Sequence, residues 1–326
     1  MDNFWNNKHV LVTGATGLVG YWLVKALIEK NARVIVLIRD IDPQSELYRT
    51  NLVNKTTVVT GALEDYFAIE RAINEYEVDT VFHLGAQTIV GTALRNPLPT
   101  FEANIRGSYN LLEACRQHKS LVKRIVIASS DKAYGSSPQL PYTEDMPLQG
   151  EHPYDVSKSC TDLLATSYAR TYELPVTIAR CGNIFGGGDL NWSRIVPGTI
   201  RNLLQEMPPD IRSNGLFTRD YIYIQDVVHA YLTLAKESHK EEIRGHGFNF
   251  GPNRPYNVLE VVNAIQLLMN KKSLQPRILN QAKAEIKDQT LCSKKAGKLL
   301  GWKPIYTLEQ GLQDTIKWYQ EYLRKI

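Results

Sequence analysis

The chain has 326 residues, more than a single ordinary core usually serves, so we expect two lobes or one elaborated α/β domain. Its net charge is +4 without a block of Lys and Arg, which argues against a nucleic-acid or membrane patch and fits an anionic small-molecule substrate. The four cysteines lie far apart without CxxC or Cys/His spacing, which argues against metal sites and disulfides. The sequence shows no signal peptide and no run of roughly 18 apolar residues, so we expect a cytoplasmic protein.

Short β-branched segments alternate with amphipathic helical patterns in the first half of the chain. The predicted strands are residues 9–14, 33–38, 56–61, 80–85, 124–129 and 175–180. Strands that are apolar on consecutive residues and are separated by helices indicate a parallel sheet covered on both faces. The predicted fold is therefore α/β, a Rossmann-like doubly wound parallel sheet, and periodicity leaves the strand order open.

The composition of the sequence changes after about residue 181. Two stretches rich in Gly, Pro and Asn predict long connections, and residues 221–237 are typical of one more strand and helix returning to the sheet. We therefore predict an NAD(P)-binding Rossmann domain at 1–180, to which 221–250 returns. A smaller, interleaved C-terminal substrate lobe is predicted from 181–220 and 251–326.

A glycine motif, VTGATGLVG, lies between the first predicted strand and the first helix, with Gly14, Gly17 and Gly20. Glycine at these places allows a tight turn, close approach of a pyrophosphate to the backbone, and close packing of the helix on the strand. The helix N-terminus offers free N–H groups and a positive dipole end to phosphate. This context predicts a dinucleotide site rather than a merely structural turn.

The end of the second strand separates NAD from NADP in such sites, because an acid there binds the ribose 2′-hydroxyl and an Arg binds the 2′-phosphate. The sequence is VLIRD, with Ile38 where the acid is expected, followed by Arg39 and Asp40. Arg39 favours NADP slightly, whereas Asp40 turned inward would favour NAD. A solvated Arg39–Asp40 pair is the third alternative.

Polar side chains follow the predicted strand at 124–129, in the stretch SSDKAYG that begins at Ser129. About 20 residues later, HPYDVSKSC places Tyr154 and Lys158 one helical turn apart. A phenol with a pKa of about 10 is a poor base at neutral pH, and a neighbouring Lys with a cationic nicotinamide stabilises its phenolate. A Tyr-x-x-x-Lys pair alone is common on helix surfaces. After a dinucleotide motif and a strand ending in Ser129 and Ser130, it indicates a catalytic set.

With these residues in place, the chain resembles an extended short-chain dehydrogenase/reductase of the nucleotide-sugar epimerase/dehydratase family. The resemblance covers nearly the whole chain and is carried by the motifs TGATGLVG, FHLGAQ, NIRGSYNLLEAC, RCGNIFGGGD, TRDYIYIQDV and LGWKPIYTLEQGL, with the Ser–Tyr–Lys set. It implies that Ser130 hydrogen-bonds the sugar O4 and that Tyr154 takes its proton. Lys158 would support Tyr154 and the nicotinamide ribose.

The resemblance also implies binding residues for a tightly held cofactor and for the substrate. Beside Gly14, Gly17, Arg39, Tyr154 and Lys158, the implied cofactor contacts are Thr16, Leu18, Val19, Leu63, Leu84 and Ala86. The implied substrate contacts are Gln87, Asn183, Arg194 and Arg219. Arg suits a nucleotide diphosphate because its fork binds phosphate bidentately. Asn104 matches a cofactor-lobe position or is a plain buried Asn. Ala62-Leu63 replaces the Asp-Leu or Asp-Ile that often holds adenine, which leaves the contact to the adenine amino group open.

The two residues after Ser130 bear on the reaction. Epimerases of this family usually continue with small, non-ionisable residues, whereas 4,6-dehydratases continue with an acid and a second ionisable residue. Asp131-Lys132 resembles the CDP-glucose and GDP-mannose 4,6-dehydratase branch. Oxidation at C4 acidifies the C5 proton, so one group must remove it and another must protonate the departing O6. Asp131, with a pKa raised by burial, is the expected acid.

Lys132 occupies the place of a commoner Glu base, and it serves as a base only if its surroundings lower its pKa. Residues adjacent on a strand face opposite ways, so Asp131 and Lys132 reach one sugar only if the chain turns at this strand exit. A surface or phosphate-pairing role for Lys132 is the alternative.

The predicted activity is an NAD(P)-dependent nucleotide-sugar 4,6-dehydratase that forms a 4-keto-6-deoxy sugar nucleotide. The alternatives are a 4-epimerase or 4-ketoreductase on the same scaffold, and a catalytically dead cofactor-binding protein, which the intact Ser–Tyr–Lys set disfavours. Asp131-Lys132 points to CDP-glucose, with GDP-, UDP- and dTDP-sugars left open. The resemblance implies a homodimer through a four-helix bundle formed by residues 101–117 and the Tyr154 helix, although amphipathic faces there fit a plain core equally.

Overall fold

The computed structural model describes residues 3–281 and 285–324 of the chain. The strands are β1 (His9–Thr13), β2 (Arg33–Ile38), β3 (Thr57–Thr60), β4 (Thr80–His83), β5 (Arg124–Ser130), β6 (Val176–Cys181), β7 (Asn183–Phe185), β8 (Asp210–Ile211), β9 (Thr218–Arg219), β10 (Tyr221–Tyr223), β11 (Gly247–Phe250), β12 (Tyr256–Asn257) and β13 (Arg277–Ile278). The α-helices are α1 (Leu18–Glu29), α2 (Glu46–Arg49), α3 (Tyr66–Glu75), α4 (Val90–Arg95), α5 (Pro97–Phe101), α6 (Gly107–Gln117), α7 (Pro153–Tyr172), α8 (Ile195–Leu204), α9 (Ile224–Glu237), α10 (Val258–Leu268), α11 (Lys294–Leu300) and α12 (Leu308–Leu323). Shorter turns of helix lie at Leu52–Lys55, Glu102–Arg106 and Asp131–Tyr134.

Seven parallel strands form the main sheet in the order β11-β6-β5-β4-β1-β2-β3. Consecutive apolar residues on these strands serve two cores: Val10 and Val12 pack into one, and Leu11 into the other. The predicted strands of the first half are all present, and the doubly wound α/β class is confirmed. The strand order reverses between β1 and β4, so the carboxyl ends of the strands open a crevice there.

One predicted strand pairs differently from the expectation. Tyr221–Tyr223 does not return to the main sheet but pairs in parallel with β7, and Gly247–Phe250 instead extends the sheet beside β6. The two short strands meet where the backbone is crowded, since a Cβ on Gly182 would lie 2.8 Å from the Asp220 carbonyl oxygen. Helix α9 then carries the chain back to the sheet edge.

The last helix, α12, packs against elements from the first part of the chain. Trp318 donates its indole N–H to Glu46 Oε2 at 3.1 Å, and Trp22 donates to the Gly187 carbonyl at 2.7 Å. A Cβ on Gly187 would lie 2.3 Å from the Trp318 ring, so the glycine run of GGGD permits this close contact. In the described part of the chain, no helix combines the length and the apolar character needed to cross a membrane.

Candidate active site

The turn after β1 has the backbone of a phosphate cradle. Gly14 has φ +70°, and a Cβ there would lie 2.7 Å from the Gly85 nitrogen. A Cβ on Gly20 would lie 2.1 Å from the Gly14 carbonyl oxygen. Helix α1 starts after Gly17 without any side-chain cap, which leaves its first-turn N–H groups to an anion. The turn contains Thr16, Leu18 and Val19 of the predicted contacts, and its residues fit a dinucleotide.

The loop after β4 is tied to the end of β1. Thr13 Oγ1 accepts hydrogen bonds from the backbone N–H groups of Leu84 at 3.1 Å and Gly85 at 3.0 Å. His83 Nδ1 lies 2.9 Å from the same oxygen, and burial, helped by the nearby Lys158 charge, lowers the pKa of His83 to about 3. A neutral His83 therefore fixes the loop that carries Leu84 and Ala86 beside the glycine turn.

The predicted residues for the adenosine half of the cofactor lie on the β2 and β3 side of the sheet. Leu63 packs between two glycines. A Cβ added to Gly107 would lie 2.6 Å from the Leu63 Cβ, and a Cβ added to Gly85 would lie 3.0 Å from the Leu63 Cδ1. Asn110 holds this loop by donating to the Leu63 carbonyl at 3.1 Å. Arg39 Nε donates to the Asp40 carboxylate at 2.6 Å, and both side chains are largely exposed.

The strand exit after Ser130 is a sharp turn. Strand β5 ends at Ser130 and a single turn of 3-10 helix follows at Asp131–Tyr134. Ser130 Oγ accepts from the Lys132 N–H at 3.2 Å and donates to Asp131 Oδ1 at 2.9 Å, which caps the turn. In a continued strand, Asp131 and Lys132 would point to opposite faces of the sheet. Because the chain leaves the strand here, the two side chains can lie on the same side.

The Asp131 carboxyl is 2% exposed, and its Oδ2 is buried without a hydrogen-bond partner among the described residues. Burial raises its pKa, although the charges of Lys132 and Arg219 and the bond from Ser130 work in the other direction. A buried carboxyl with a free oxygen is suited to hold and release a proton. Lys132 Nζ donates to Gln289 Oε1 at 3.1 Å.

Tyr154 and Lys158 lie in the first turns of α7, beside β5. Lys158 Nζ donates to the Ala128 carbonyl at 2.8 Å, and burial lowers its pKa to about 8 against the opposing charge of Asp162. Burial raises the pKa of Tyr154 to about 12, while the charge of Arg194 and contact with Ser130 lower it. Tyr154 is therefore protonated at neutral pH. Formation of its phenolate would need a further positive charge beside the ring.

The turn at Asp131–Tyr134 rests on a buried polar network. Arg180 is 6% exposed, makes two hydrogen bonds of 2.8 and 2.9 Å to Asp162, and donates to the Tyr134 hydroxyl at 2.7 Å. That hydroxyl donates to Asn249 Oδ1 at 2.8 Å. Strands β6 and β11 and helix α7 therefore fix the turn that carries Asp131.

The predicted substrate residues occupy three different settings. Asn183 donates its backbone N–H to the Asp220 carbonyl at 2.7 Å. Arg194 forms an ion pair with Asp189 at 3.0 Å, and its positive charge lowers the pKa of Tyr154. Arg219 is 6% exposed and donates to backbone carbonyls of its own strand and of residues 286–287. It lies close enough to Asp131 to lower its pKa.

Gln87 is fixed by its backbone, which exchanges two hydrogen bonds with the Asn104 side chain at 2.7 and 3.0 Å. Asn104 also donates to Ser157 of α7 at 2.9 Å and is 1% exposed, so it connects the β4 loop to helix α7 through a buried side chain. The side chain of Gln87 turns back to Ile89, with bonds of 2.5 and 3.2 Å.

The structure thus gathers Ser130, Asp131, Lys132, Tyr154 and Lys158 at the end of β5, with Arg194 and Arg219 at the edge of the group. Leu63 and Arg39 lie apart from it, on the β2 and β3 side of the sheet.

Sequence reasoning missed two residues of this group. Asp155 is 3% exposed with a pKa raised by burial, and the charge of Lys132 acts on it. Gln289 contacts Lys132 from a segment 157 residues away. Asp155 could have been identified from the sequence, since it lies between Tyr154 and Lys158. Gln289 belongs to no motif and could not.

The sequence model of the GDP-mannose 4,6-dehydratase family matches residues 11–315. The chain is 28% identical over 350 residues to the CDP-glucose 4,6-dehydratase of Salmonella typhimurium, covering 99% of this chain and 93% of the relative. It is also 28% identical over 336 residues to the dTDP-glucose 4,6-dehydratase of Haemophilus influenzae, covering 95% of this chain and 97% of the relative.

Solved structures show the same fold. The dTDP-glucose 4,6-dehydratase of Bacillus anthracis in complex with NAD has a TM-score of 0.85 at 25% identity, covering 96% of this chain and 97% of that chain. The UDP-glucose 4-epimerase of Thermotoga maritima with UDP-glucose has a TM-score of 0.88 at 28% identity, covering 97% and 99%. The resemblance noted in the sequence is confirmed: the chain belongs to the GDP-mannose 4,6-dehydratase family, a nucleotide-sugar dehydratase group within the extended short-chain dehydrogenase/reductases.

Proposed function

We propose that the protein converts a nucleoside diphosphate hexose into its 4-keto-6-deoxy derivative by 4,6-dehydration. The observation that carries this proposal is the turn after Ser130, which brings a buried carboxyl, Asp131, and an amine, Lys132, to the site of Tyr154. Oxidation and reduction at C4 alone would need neither group, whereas the loss of water across C5 and C6 needs two proton-transfer groups.

The first step is proton removal at the sugar O4. Ser130 is assigned to hydrogen-bond O4, and Tyr154 to accept its proton. Lys158, held by the Ala128 carbonyl, keeps a positive charge one helical turn from the phenol. A bound nicotinamide supplies the hydride chemistry, in which hydride leaves C4 and is later returned at C6.

The second step is the loss of water. The C5 proton, now next to a ketone, passes to the Lys132 amine, and O6 leaves as water with the proton of Asp131. Once C6 has been reduced, Lys132 returns its proton to C5. The proton that Tyr154 took from O4 passes to solvent and Asp131 takes one up from solvent, so the protons balance. Burial raises the pKa of Asp131, which favours the protonated form that this step uses.

The substrate is assigned to the crevice under residues 181–220 and 251–326, facing the cofactor lobe of 1–180 with 221–250. Asn183, Arg194 and Arg219 are proposed to hold the diphosphate, and Gln87 to contact the sugar. CDP-glucose is our first candidate, since the Asp131-Lys132 pair resembles that branch and a CDP-glucose 4,6-dehydratase is 28% identical over 350 residues. We place the reaction in the cytoplasm, where the four free cysteines stay reduced.

The cofactor is proposed to be tightly bound, because each catalytic cycle regenerates it. Arg39 provides a partner for the 2′-phosphate of NADP and Asp40 one for the 2′-hydroxyl of NAD, and the two are paired with each other. We propose a slight preference for NADP, although the Bacillus anthracis relative carries NAD. Titration of the protein with each dinucleotide measures the preference.

The dehydration is tested with Asp131→Asn and Lys132→Met, using CDP-glucose, dTDP-glucose, UDP-glucose and GDP-mannose as substrates. We expect wild-type enzyme to convert one of them to a product lighter by one water, measured by mass spectrometry. Each variant should lose at least ~10²-fold in water loss, since one proton-transfer group is missing, while reduced nicotinamide still forms.

A 4-epimerase is the second candidate, because the UDP-glucose 4-epimerase of Thermotoga maritima shares the fold at 28% identity. An epimerase predicts that both variants turn over normally and that the product has the mass of the substrate. That outcome would contradict the dehydratase proposal. Product formed only with stoichiometric added NADPH would instead indicate a ketoreductase.

A further inference from the structure

Residues 286–292, here named the strap, pass beside the turn after Ser130 and form isolated bridges with Thr218 and Tyr142. One edge of the strap is fastened to β9: Thr218 N–H donates to the Lys287 carbonyl at 3.2 Å, and Gln289 N–H donates to the Thr218 carbonyl at 3.1 Å. The Thr218 hydroxyl also donates to Asp288 Oδ1 at 2.6 Å. This edge sets the register of Gln289.

The other edge of the strap is fastened to Tyr142 and to Asp220. Tyr142 N–H donates to the Thr290 carbonyl at 2.7 Å, and Cys292 N–H donates to the Tyr142 carbonyl at 2.9 Å. Leu291 N–H donates to Asp220 Oδ2 at 2.6 Å. With both edges held, the side chain at Gln289 has a fixed position over the turn after Ser130.

The Gln289 side chain is fully buried, and its Oε1 accepts the hydrogen bond from Lys132 Nζ at 3.1 Å. Its Nε2 is buried without a partner among the described residues. A buried amide with one unpaired end costs free energy, so stability alone does not account for Gln at this place. The useful half of the amide is the oxygen that faces the amine.

The charge of the partner matters for the amine. A carboxylate at position 289 would favour the ammonium form of Lys132, whereas the neutral amide of Gln289 orients the nitrogen without adding negative charge. The acids that face Lys132 from its own turn and from α7 are Asp131 and Asp155, and burial raises the pKa of both toward the neutral form. Asp288 of the strap is engaged by Thr218, and Arg219 is the cation near Asp131.

We propose that Gln289 is a positioning residue that holds the Lys132 amine for removal of the C5 proton without a charged partner. This inference rests on the proposed dehydration, in which Lys132 is the base. The Gln289 oxygen fixes the direction of the amine and, unlike a carboxylate, adds no negative charge beside it. Gln289 acts through Lys132 and is not itself assigned a proton.

The experiment compares Gln289→Met, which removes the amide at similar length, with Gln289→Glu, which keeps an acceptor oxygen and adds charge. Gln313→Met makes the same change at an exposed position of α12 and serves as the control. Three rates are measured with the four nucleotide hexoses named above: reduced nicotinamide formation, entry of solvent deuterium at C5, and loss of water.

For Gln289→Met we expect entry of deuterium at C5 to fall roughly 10- to 100-fold, with reduced nicotinamide formation within about 2-fold of wild type. For Gln289→Glu we expect a similar loss near neutral pH that recovers as the pH rises, since the added carboxylate favours the ammonium form. The Met variant should show no such recovery. The Glu variant, which keeps the polar group, carries the test if the Met variant fails to fold.

Two outcomes would overturn the proposed function together with this inference, and two others would overturn the inference alone. If Lys132→Met keeps C5 exchange, or if none of the four sugars reduces the nicotinamide, the proposed function fails and this inference fails with it. If Lys132→Met abolishes exchange while Gln289→Met resembles Gln313→Met, only the role of Gln289 fails. Equal losses in all three rates would show that Gln289 only supports the fold.

Discussion

At the scale of single residues, Asp220 is a buried acid that the proposed reaction does not use. It is fully buried, its Oδ2 accepts from the Leu291 N–H, and its Oδ1 has no partner among the described residues. Burial, with a smaller contribution from the charge of Asp131, raises its pKa to about 7. The side chain therefore fastens the strap at the cost of a carboxylate that is poorly solvated when ionised.

This residue predicts a pH dependence of stability. Between the ordinary pKa of an Asp, about 4, and the folded value near 7, the folded state binds more protons than the unfolded state. Stability from this group is thus present at low pH and is lost as the pH rises through the folded pKa. Asp220→Asn keeps an acceptor for Leu291 and abolishes the titration.

We expect Asp220→Asn to gain stability relative to wild type by up to about 4 kcal/mol between pH 4 and pH 8. Urea unfolding of both proteins across that range measures the difference. Parallel pH profiles would show that Asp220 titrates normally in the folded protein.

At the scale of elements, the turn after Ser130 depends on a buried ion pair between a helix and a strand. Arg180 of β6 and Asp162 of α7 are both buried, and the same guanidinium donates to Tyr134 at the end of the turn. Both the strand and the helix were predicted from pattern. The pairing was not, because a 3.6-residue or a 2-residue period says which face of an element is polar but not which distant residue meets it.

We expect Arg180→Met to destabilise the fold by about 3–5 kcal/mol, because it leaves the Asp162 carboxylate buried and unpaired. The double variant Arg180→Met/Asp162→Leu should recover most of that loss, since it removes both charges. Urea unfolding of the three proteins provides the free energies. Equal stability of the single and double variants would mean that Asp162 is not the source of the cost.

At the scale of the whole molecule, helices α6 and α7 pack side by side and carry apolar side chains that face outward. Tyr109 is 40% exposed and Leu163 58% exposed, and Leu98 before them is 64% exposed. Exposed apolar side chains gathered on adjacent helices are typical of a protein interface. We propose that two copies of the chain pair through these helices as a four-helix bundle.

Leu163→Glu should convert the dimer to a monomer, because a buried unpaired carboxylate in the bundle is costly. Light scattering after size-exclusion chromatography measures the mass. Leu216→Glu is the matched control, since Leu216 is 61% exposed but belongs to neither helix, and that variant should stay dimeric. A monomeric wild type, or a dimer in both variants, would refute the interface.

The sequence by itself determined the α/β class, the glycine turn after β1 and the candidate residues Ser130, Asp131, Lys132, Tyr154 and Lys158. These features are local, since they follow from strand and helix periods, from backbone constraints on glycine and from spacing along one turn of helix. Long-range pairing decided the rest. It put Tyr221–Tyr223 beside β7 rather than in the main sheet, raised the pKa of Tyr154 through burial, and brought Gln289 to Lys132. Burial and contact between distant segments are properties of the packed chain, and no local pattern encodes them.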